Sequence, residues 1–471
     1  MNLARSTLQV FTANSLSKLL GLLGVIYFAQ ELGSGQLGVF FLFQALLGLL
    51  AIPADVGLSQ GVAKRLSEGE NEDEVVVTAL LLKLFPAGIL AAMIWVLRNP
   101  INAYLETELA AFLIIALFVQ EGATLTMQIL RGQMRVGTTA FPTLARQLTF
   151  VCLGVVLVSL MGRVEGIIYA LIAGFVVMIL VGTFLSRPRI GYPSLDRGRS
   201  IVSFSKYAFV SSVGGYFYQW MDVIVVGYVL STAEVGVYEV SWRVTTVVML
   251  FSQAIATSVF PQVSQWSAED ASGKIEALLP ETIALSLLLV VPAFVGTVLF
   301  AEELLGLVFG EEFTAGALVL VILMAEKLLQ SVHLVLGRAL QGIDYPDLAA
   351  RAGVIAMALN LVLNVVLVLQ YGIVGAAVAT VLSFAVNSIL HATYLSRFLH
   401  VRLPLRHIGG IVASAGGMGI VLWIVSRIYD ISSIVNLAVV VGLGAALYFG
   451  FVALDPSLRK LLLKYAKQTF Q

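Results

Sequence analysis

Glu31–Phe43 reads ELGSGQLGVFFLF, and Val229–Ser241 reads VLSTAEVGVYEVS, with Gly38 falling on Gly236. Working outward, LRGQMRVGTTAFPTLAR (Leu130–Arg146) returns as LQGIDYPDLAARAG (Leu340–Gly353), with Gly132 on Gly342. GRVEGIIYALIAG (Gly162–Gly174) returns as GIVGAAVATVLS (Gly372–Ser383), one residue out of step. All three pairs keep an offset of about 200 residues, so the chain is an internal duplication. Each copy is too apolar to fold in water alone. Duplicated membrane bundles place a substrate path at the interface of their repeats, which directs the functional reading toward transport.

Hydrophobic residues are 59% of the 471 and charged residues only 12%, about half the usual charged share of a soluble domain. The formal net charge is zero, which leaves no basic footprint for nucleic acid. Cys152 is the single cysteine and sits in an apolar run, so it reads as a small packing residue and excludes an internal disulfide. No short apolar core with a small-residue cleavage site follows Arg5 and Lys18, so no cleavable signal is expected.

Apolar stretches of about 20 residues, enough to cross the hydrocarbon, fall near 8–30, 37–61, 75–97, 109–130, 140–161 and 164–186. The second copy supplies 205–230, 235–263, 281–301, 314–337, 348–370 and 372–396, and two more follow near 408–427 and 431–454. All are expected to be helices, because unpaired backbone in lipid is too costly. The expectation is an all-α integral membrane protein of about fourteen spans. Residues 1–186 form an N-lobe, 187–204 a linker, 205–400 a C-lobe, and 401–471 two further helices and a tail. An even number of helices per copy inserts both lobes the same way up.

Basic residues gather at one set of loops, among them Lys64, Arg65, Arg131, Arg135, Arg187, Arg189, Arg197, Arg199, Lys274, Arg338, Arg351, Arg402, Arg406, Lys460 and Lys464. The opposite loops hold Arg98, Arg163 and Arg427. The positive-inside rule then places both termini in the cytoplasm of a multi-pass cell-membrane protein. The linker's arginines read as solvated, or as touching anionic headgroups.

FAQELGSGQLGVFFLFQALLGLLAIPADVGLSQGVAKRLSEG (Phe28–Gly69) resembles the opening of the polysaccharide transporter family, the Wzx-type oligosaccharide flippases. The Leu-Gly at Leu37–Gly38, the Asp55–Gly57–Leu58 turn and Lys64–Arg65 carry the likeness. WMDVIVVGYVLSTAEVGVYEVSWRV (Trp220–Val244), RGQMR from Arg131 and LQGIDYP from Leu340 extend it over roughly residues 5–400. The resemblance implies a V-shaped two-lobed bundle that flips a polyprenyl-linked oligosaccharide. The tail of such a substrate stays in lipid while its anionic, sugar-bearing head crosses. A bare cation at mid-membrane costs about 2.5–3.5 kcal/mol, so charges retained inside helices are candidate cavity residues.

Those candidates are Lys18, Lys83, Arg243 and Lys327, with the acids Glu121, Asp222, Glu239 and Glu326. Lys18 and Lys83 also read as residues that snorkel to the surface, and Arg146 as a surface anchor. Glu239 and Arg243 have the favourable i, i+4 order for a pair. Glu326 and Lys327 are adjacent and point about 100° apart on a helix, so each is expected to seek a partner elsewhere. Asp222 reads as the partner of a cation from the other lobe, a gate, a proton or sodium ligand, or a structural carboxylate. Gln120, Glu121, Thr124, Thr126 and Gln128 make a polar stripe on the fourth span. Asn360 and Asn364 make another, suited to sugar hydroxyls or to interhelical hydrogen bonds. Pro86 and Pro292 interrupt helices and read as bending points or fixed kinks. Tyr216, Phe217, Tyr218 and Trp220 read as an interface belt or a sugar-stacking face.

His333, His391, His400 and His407 have no metal-ligand spacing, and no phosphate-binding loop appears, so neither a cofactor nor ATP is expected. Sodium or a proton remains open as the coupling ion. Three functions compete: a lipid-linked oligosaccharide flippase, a cation-coupled multidrug or metabolite exporter of the same fold, and a membrane glycan polymerase or ligase. The last needs a large external loop with paired carboxylates, which the sequence lacks. The partners expected are the lipid-linked sugar, membrane lipid and glycan-assembly enzymes.

Overall fold

In the computed structural model the backbone is described for residues 3–469, and side chains for 9–465 except 206–208 and 210–219. Sixteen α-helices and two short 3-10 turns make up the described chain, with no strand among the described residues. In order they are α1 (Leu3–Asp55), α2 (Leu58–Ser67), α3 (Glu72–Val96), α4 (Arg98–Leu105), α5 (Ala110–Gly132), α6 (Ala140–Met161), α7 (Val164–Ser186) and α8 (Leu195–Val229). Then come α9 (Thr232–Ala268), α10 (Ser272–Leu287), α11 (Val290–Phe309), α12 (Ala317–Gly342), α13 (Pro346–Leu395), α14 (Leu405–Ile428), α15 (Ile434–Leu454) and α16 (Pro456–Thr469).

Among the described residues, eleven helical stretches are long and apolar enough to cross a membrane. Two of them contain a non-helical glycine, Gly33 in α1 (φ 73°) and Gly372 in α13 (φ 58°). A side chain at such φ is strained, so glycine divides each long helix into two arms. With those arms taken separately and α8 included, the architecture is compatible with fourteen spans. The cluster Tyr216–Phe217–Tyr218 and the pair Gly214–Gly215 lie outside the described side chains.

The chain divides into two compact units, Met1–Glu239 and Val240–Gln471. The core of the first is the second arm of α1, where Leu37, Phe40, Phe41, Leu42 and Phe43 are all buried. Phe150 of α6 stacks on Phe40 and meets Phe28 edge-on. The core of the second gathers Leu279, Ile283, Leu336, Leu340, Ile411, Leu422 and Tyr448 from α10, α12, α14 and α15. Tyr448 donates its hydroxyl to the Leu288 carbonyl at 2.6 Å, which satisfies the backbone at the break between α10 and α11.

The duplication is visible in the packing. Within the first unit Gly38 lies against the Thr232 carbonyl and Gly236 against the Ser34 carbonyl, so the repeated glycines cross each other. A Cβ on Gly132 would stand 2.6 Å from the Leu66 Cβ and 3.0 Å from the Ala63 carbonyl. On Gly342, within the second unit, it would stand 2.8 Å from a Val263 methyl and 3.3 Å from the Phe260 carbonyl. The residue two beyond each of these glycines, Met134 and Asp344, has positive φ. So do Gly162 and Gly372. The same turn is built twice.

Two local expectations are corrected. Cys152 is exposed on α6 and packs into no core. Arg197 of the linker is occupied by protein carboxylates, with Glu70 at 3.2 Å and Glu74 at 3.1 Å. That network raises the affinity of its guanidinium for the proton, chiefly through the Glu74 hydrogen bond, and ties the start of α8 to α3.

Candidate functional site

In the first unit the helical run breaks after Asp55, where Val56 (φ 46°) and Gly57 (φ 74°) are left-handed. The break turns Asp55 into a capping residue. Its Oδ1 accepts from the Ser59 amide at 3.2 Å and from the Ser59 hydroxyl. The same oxygen accepts from Lys83 Nζ of α3 at 2.7 Å. Lys83 Nζ also lies 2.7 Å from Glu121 Oε2 of α5 and donates to Ser59 Oγ at 2.7 Å. An ammonium has three protons; Asp55, Ser59 and, at 3.4 Å, the Glu121 carbonyl accept from this one, with the Glu121 carboxylate beside it. Lys83 is only 4% exposed and Glu121 5%. Lys83 therefore does not snorkel: a buried cation without partners costs far more than one held by three.

One ammonium between two carboxylates leaves the cluster with one negative charge when all three groups are ionised. Such a site suits a proton, a monovalent cation or a cationic group. The two threonines of the α5 stripe are satisfied locally, with Thr124 donating to the Gln120 carbonyl and Thr126 to that of Gly122.

In the second unit Glu326 and Lys327 of α12 are both buried, and Lys327 Nζ lies 2.6 Å from Glu326 Oε2. The two were expected to seek partners elsewhere; instead their charged ends lie together. The lysine stem is long enough to curl back across the 100° between them. Lys327 Nζ also faces the Trp242 ring of α9 at 5.6 Å, a favourable placement for a desolvated cation.

Asn360 and Asn364 are buried on the first arm of α13. Asn360 Nδ2 donates to Thr380 Oγ1 on the second arm at 3.5 Å. Asp222 of α8 is half-buried and accepts from the Tyr238 hydroxyl of α9 at 2.8 Å. Glu239 is buried on α9, Arg243 half-buried one turn further on, and Lys18 exposed on α1. Arg146, half-buried on α6, lies over the Phe175 ring at 5.5 Å.

Of the ten candidates, the structure joins Lys83 with Glu121 and Glu326 with Lys327. Sequence reading missed Asp55 and Ser59 as partners of Lys83. The available signal was an acid ahead of a glycine with a serine four residues on, the mark of a new helix start. It also missed the His333–His391 contact, with ring centroids 4.4 Å apart. No group of three or more metal-capable side chains occurs among the described residues. An apolar groove of about 350 Å³ runs between α11 and α14, lined by Val295, Leu299, Gly416, Gly419, Ile420 and Trp423.

Comparison with known proteins gives a consistent result. Residues 32–318 match the family model described as polysaccharide biosynthesis protein. The chain is 46% identical over 464 residues to the "Probable low-salt glycan biosynthesis flippase Agl15" of Haloferax volcanii, covering 98% of each. It is 30% identical over 463 residues to that organism's "Probable flippase AglR", covering 97% of this chain and 96% of the relative. Among solved structures, the lipid II flippase MurJ in an inward closed conformation superposes with a TM-score of 0.81 at 15% identity, covering 96% of this chain and 99% of MurJ. An inward-facing multidrug resistance MATE transporter of the MOP superfamily gives 0.65 at 17% identity, covering 81% and 95%. At those identities the two structures speak for the fold. The family model and the near full-length relatives go further: the chain belongs to the polysaccharide biosynthesis protein family.

Proposed function

We propose that this chain is a flippase for a polyprenyl-(pyro)phosphate-linked oligosaccharide. The observation that carries the reading is the near full-length relation to the Haloferax volcanii protein named as a glycan biosynthesis flippase. The fold supports it, because the solved structures that superpose on this chain include a lipid II flippase and a multidrug transporter. The lipid tail remains in the bilayer while polar and charged side chains replace the water lost by the head. The chain acts as a transporter, not as an enzyme. It sits in the cytoplasmic membrane with both termini inside, receives its substrate from glycan-assembly enzymes, and draws on a sodium or proton gradient.

The test is translocation in proteoliposomes loaded with a fluorescent lipid-linked oligosaccharide. The expected result is protein-dependent exposure of the sugar to an externally added quencher, lost in Lys83→Met and Lys327→Met while both variants remain in the bilayer. Translocation no faster than in protein-free vesicles, with correctly folded protein present, overturns the reading. A cation-coupled exporter of the same fold is the second reading, favoured by the excess carboxylate around Lys83. It predicts cation-driven efflux of organic cations and no quenching of the lipid-linked sugar.

A further inference from the structure

A second charged site lies at the basic end of the second unit, apart from the buried pairs and from the flipping reaction. Glu281 of α10, Arg406 and His407 of α14, and Ser457, Lys460 and Lys464 of α16 line a cavity of about 300 Å³. The two acids nearby are already engaged. Glu281 accepts from Lys464 Nζ at 2.6 and 2.8 Å and from the Tyr465 hydroxyl at 3.0 Å. Asp455 Oδ1 accepts from the Ser457 amide and hydroxyl and from the Leu458 amide, which caps α16. No salt bridge within 4 Å holds Arg406 or Lys460 among the described residues, although Arg406 is near enough to Asp455 for its charge to help lower that carboxyl's pKa.

The placement of Arg406 is unusual. It and His407 occupy the first turn of α14, a 24-residue helix with no acid in that turn and no side-chain cap. A helix N-terminus carries about half a positive charge and favours anions; Asp455 answers part of that charge, but its Oδ1 is committed to capping α16. Leu403, Leu405 and Leu454, within three residues of the lining in sequence, are exposed, which suits a surface that meets lipid rather than bulk water.

We propose that this cavity holds the phosphate of an anionic membrane lipid. Arg406, Lys460 and the open end of α14 grip the phosphate, and the acyl chains lie over Leu405 and Leu454. Basic pockets at helix ends suit anionic headgroups for this reason. A free phosphate has the same headgroup chemistry, but it would gain nothing from the exposed leucines.

The experiment uses the full chain, delipidated in a neutral detergent, and follows its thermal midpoint. The titrants are phosphatidylglycerol, phosphatidylcholine and inorganic phosphate. Phosphatidylglycerol is expected to act at concentrations at least tenfold below phosphatidylcholine, with no effect of inorganic phosphate. In R406Q/K460Q, which alters two exposed side chains, that preference should vanish while the midpoint without lipid stays the same. Glu281→Gln removes the one carboxylate in the lining and should strengthen the phosphatidylglycerol effect severalfold. Equal responses to the two lipids, or an unchanged preference in R406Q/K460Q, overturns the proposal. Inorganic phosphate matching phosphatidylglycerol overturns the lipid source. None of these readouts involves translocation, so the outcome is separate from the flippase reading.

Discussion

Asp55, Ser59 and Glu121 all converge on the buried ammonium of Lys83. Removing it strands two carboxylates in a region 5% exposed at Glu121. Breaking a buried pair from one side typically costs about 3–5 kcal/mol. Lys83→Met should therefore lower the thermal midpoint of the purified protein strongly. Glu121→Gln should cost much less, since Asp55 and Ser59 still hold the ammonium. The triple change D55N/K83M/E121Q, which leaves no charge behind, should recover most of the loss, and a wild-type midpoint for K83M alone would show the network to be unimportant. The lysine itself was legible in the sequence as a charge inside an apolar run. Its partners were not: Asp55 is 28 residues away and reaches it only because Val56 and Gly57 break the helix. Hydropathy reports which residues leave water, not which side chains then meet. The Glu326–Lys327 pair went unread for a related reason, since helical phase fixes where Cα–Cβ bonds point and says little about a four-carbon stem.

At the scale of the helix, close approach decides which substitutions matter. Gly38 and Gly236 each face a backbone carbonyl of the other's segment, which cannot yield as a side-chain tip can. Gly38→Ala and Gly236→Ala should each cost about 1–3 kcal/mol or more through overpacking. Gly35→Ala, where nothing lies within 4 Å, is the control expected to be nearly silent; the check is the difference in midpoint between G38A and G35A. The start of α16 gives a pH-dependent counterpart. Hydrogen bonds from the Ser457 hydroxyl and the Leu458 and Ser457 amides hold the Asp455 carboxyl below the usual carboxylate range. A depressed folded value means the cap stabilises fully above the unfolded pKa of about 3.9 and is lost as pH falls through the lower folded value. Asp455→Ala should loosen α16 by about 1 kcal/mol at pH 7. In amide exchange of residues 457–462 the gap between variant and parent should begin to narrow as the pH falls below about 4.

At the scale of the molecule, the fold was legible because membrane helices must satisfy their backbones internally and so write themselves as long apolar runs. Ala140–Met161 and Val164–Ser186 form at the positions their apolar runs mark. Boundaries failed where a helix continues past the hydrocarbon: α9 ends at Ala268, beyond the 263 that hydropathy marks, and α8 begins at Leu195 on a polar turn capped by Ser194. The duplication also carries a claim about orientation that the apolar runs alone do not. In the first unit one end collects Arg65, Glu70, Glu74 and Arg197 into a network, while Gln133 joins Glu72 and the Ser186 carbonyl. The ends of α2, α5 and α7 therefore lie together with the starts of α3 and α8. In the second unit Glu276 of α10 accepts from the His400 amide, and Lys464 of α16 pairs with Glu281. If basic loops stay in the cytoplasm, all these ends share that side, and the loops at Glu108 and Asp430 face out. A Cys152→Ser background removes the exposed native thiol. Single cysteines placed at Arg199 and Arg402 should then resist a membrane-impermeant maleimide in intact cells and react after permeabilisation, whereas cysteines at Glu108 and Asp430 should react in intact cells. Labelling of positions 199 and 402 from opposite sides would mean that the two copies insert in opposite senses, and the parallel-repeat architecture would have to be abandoned.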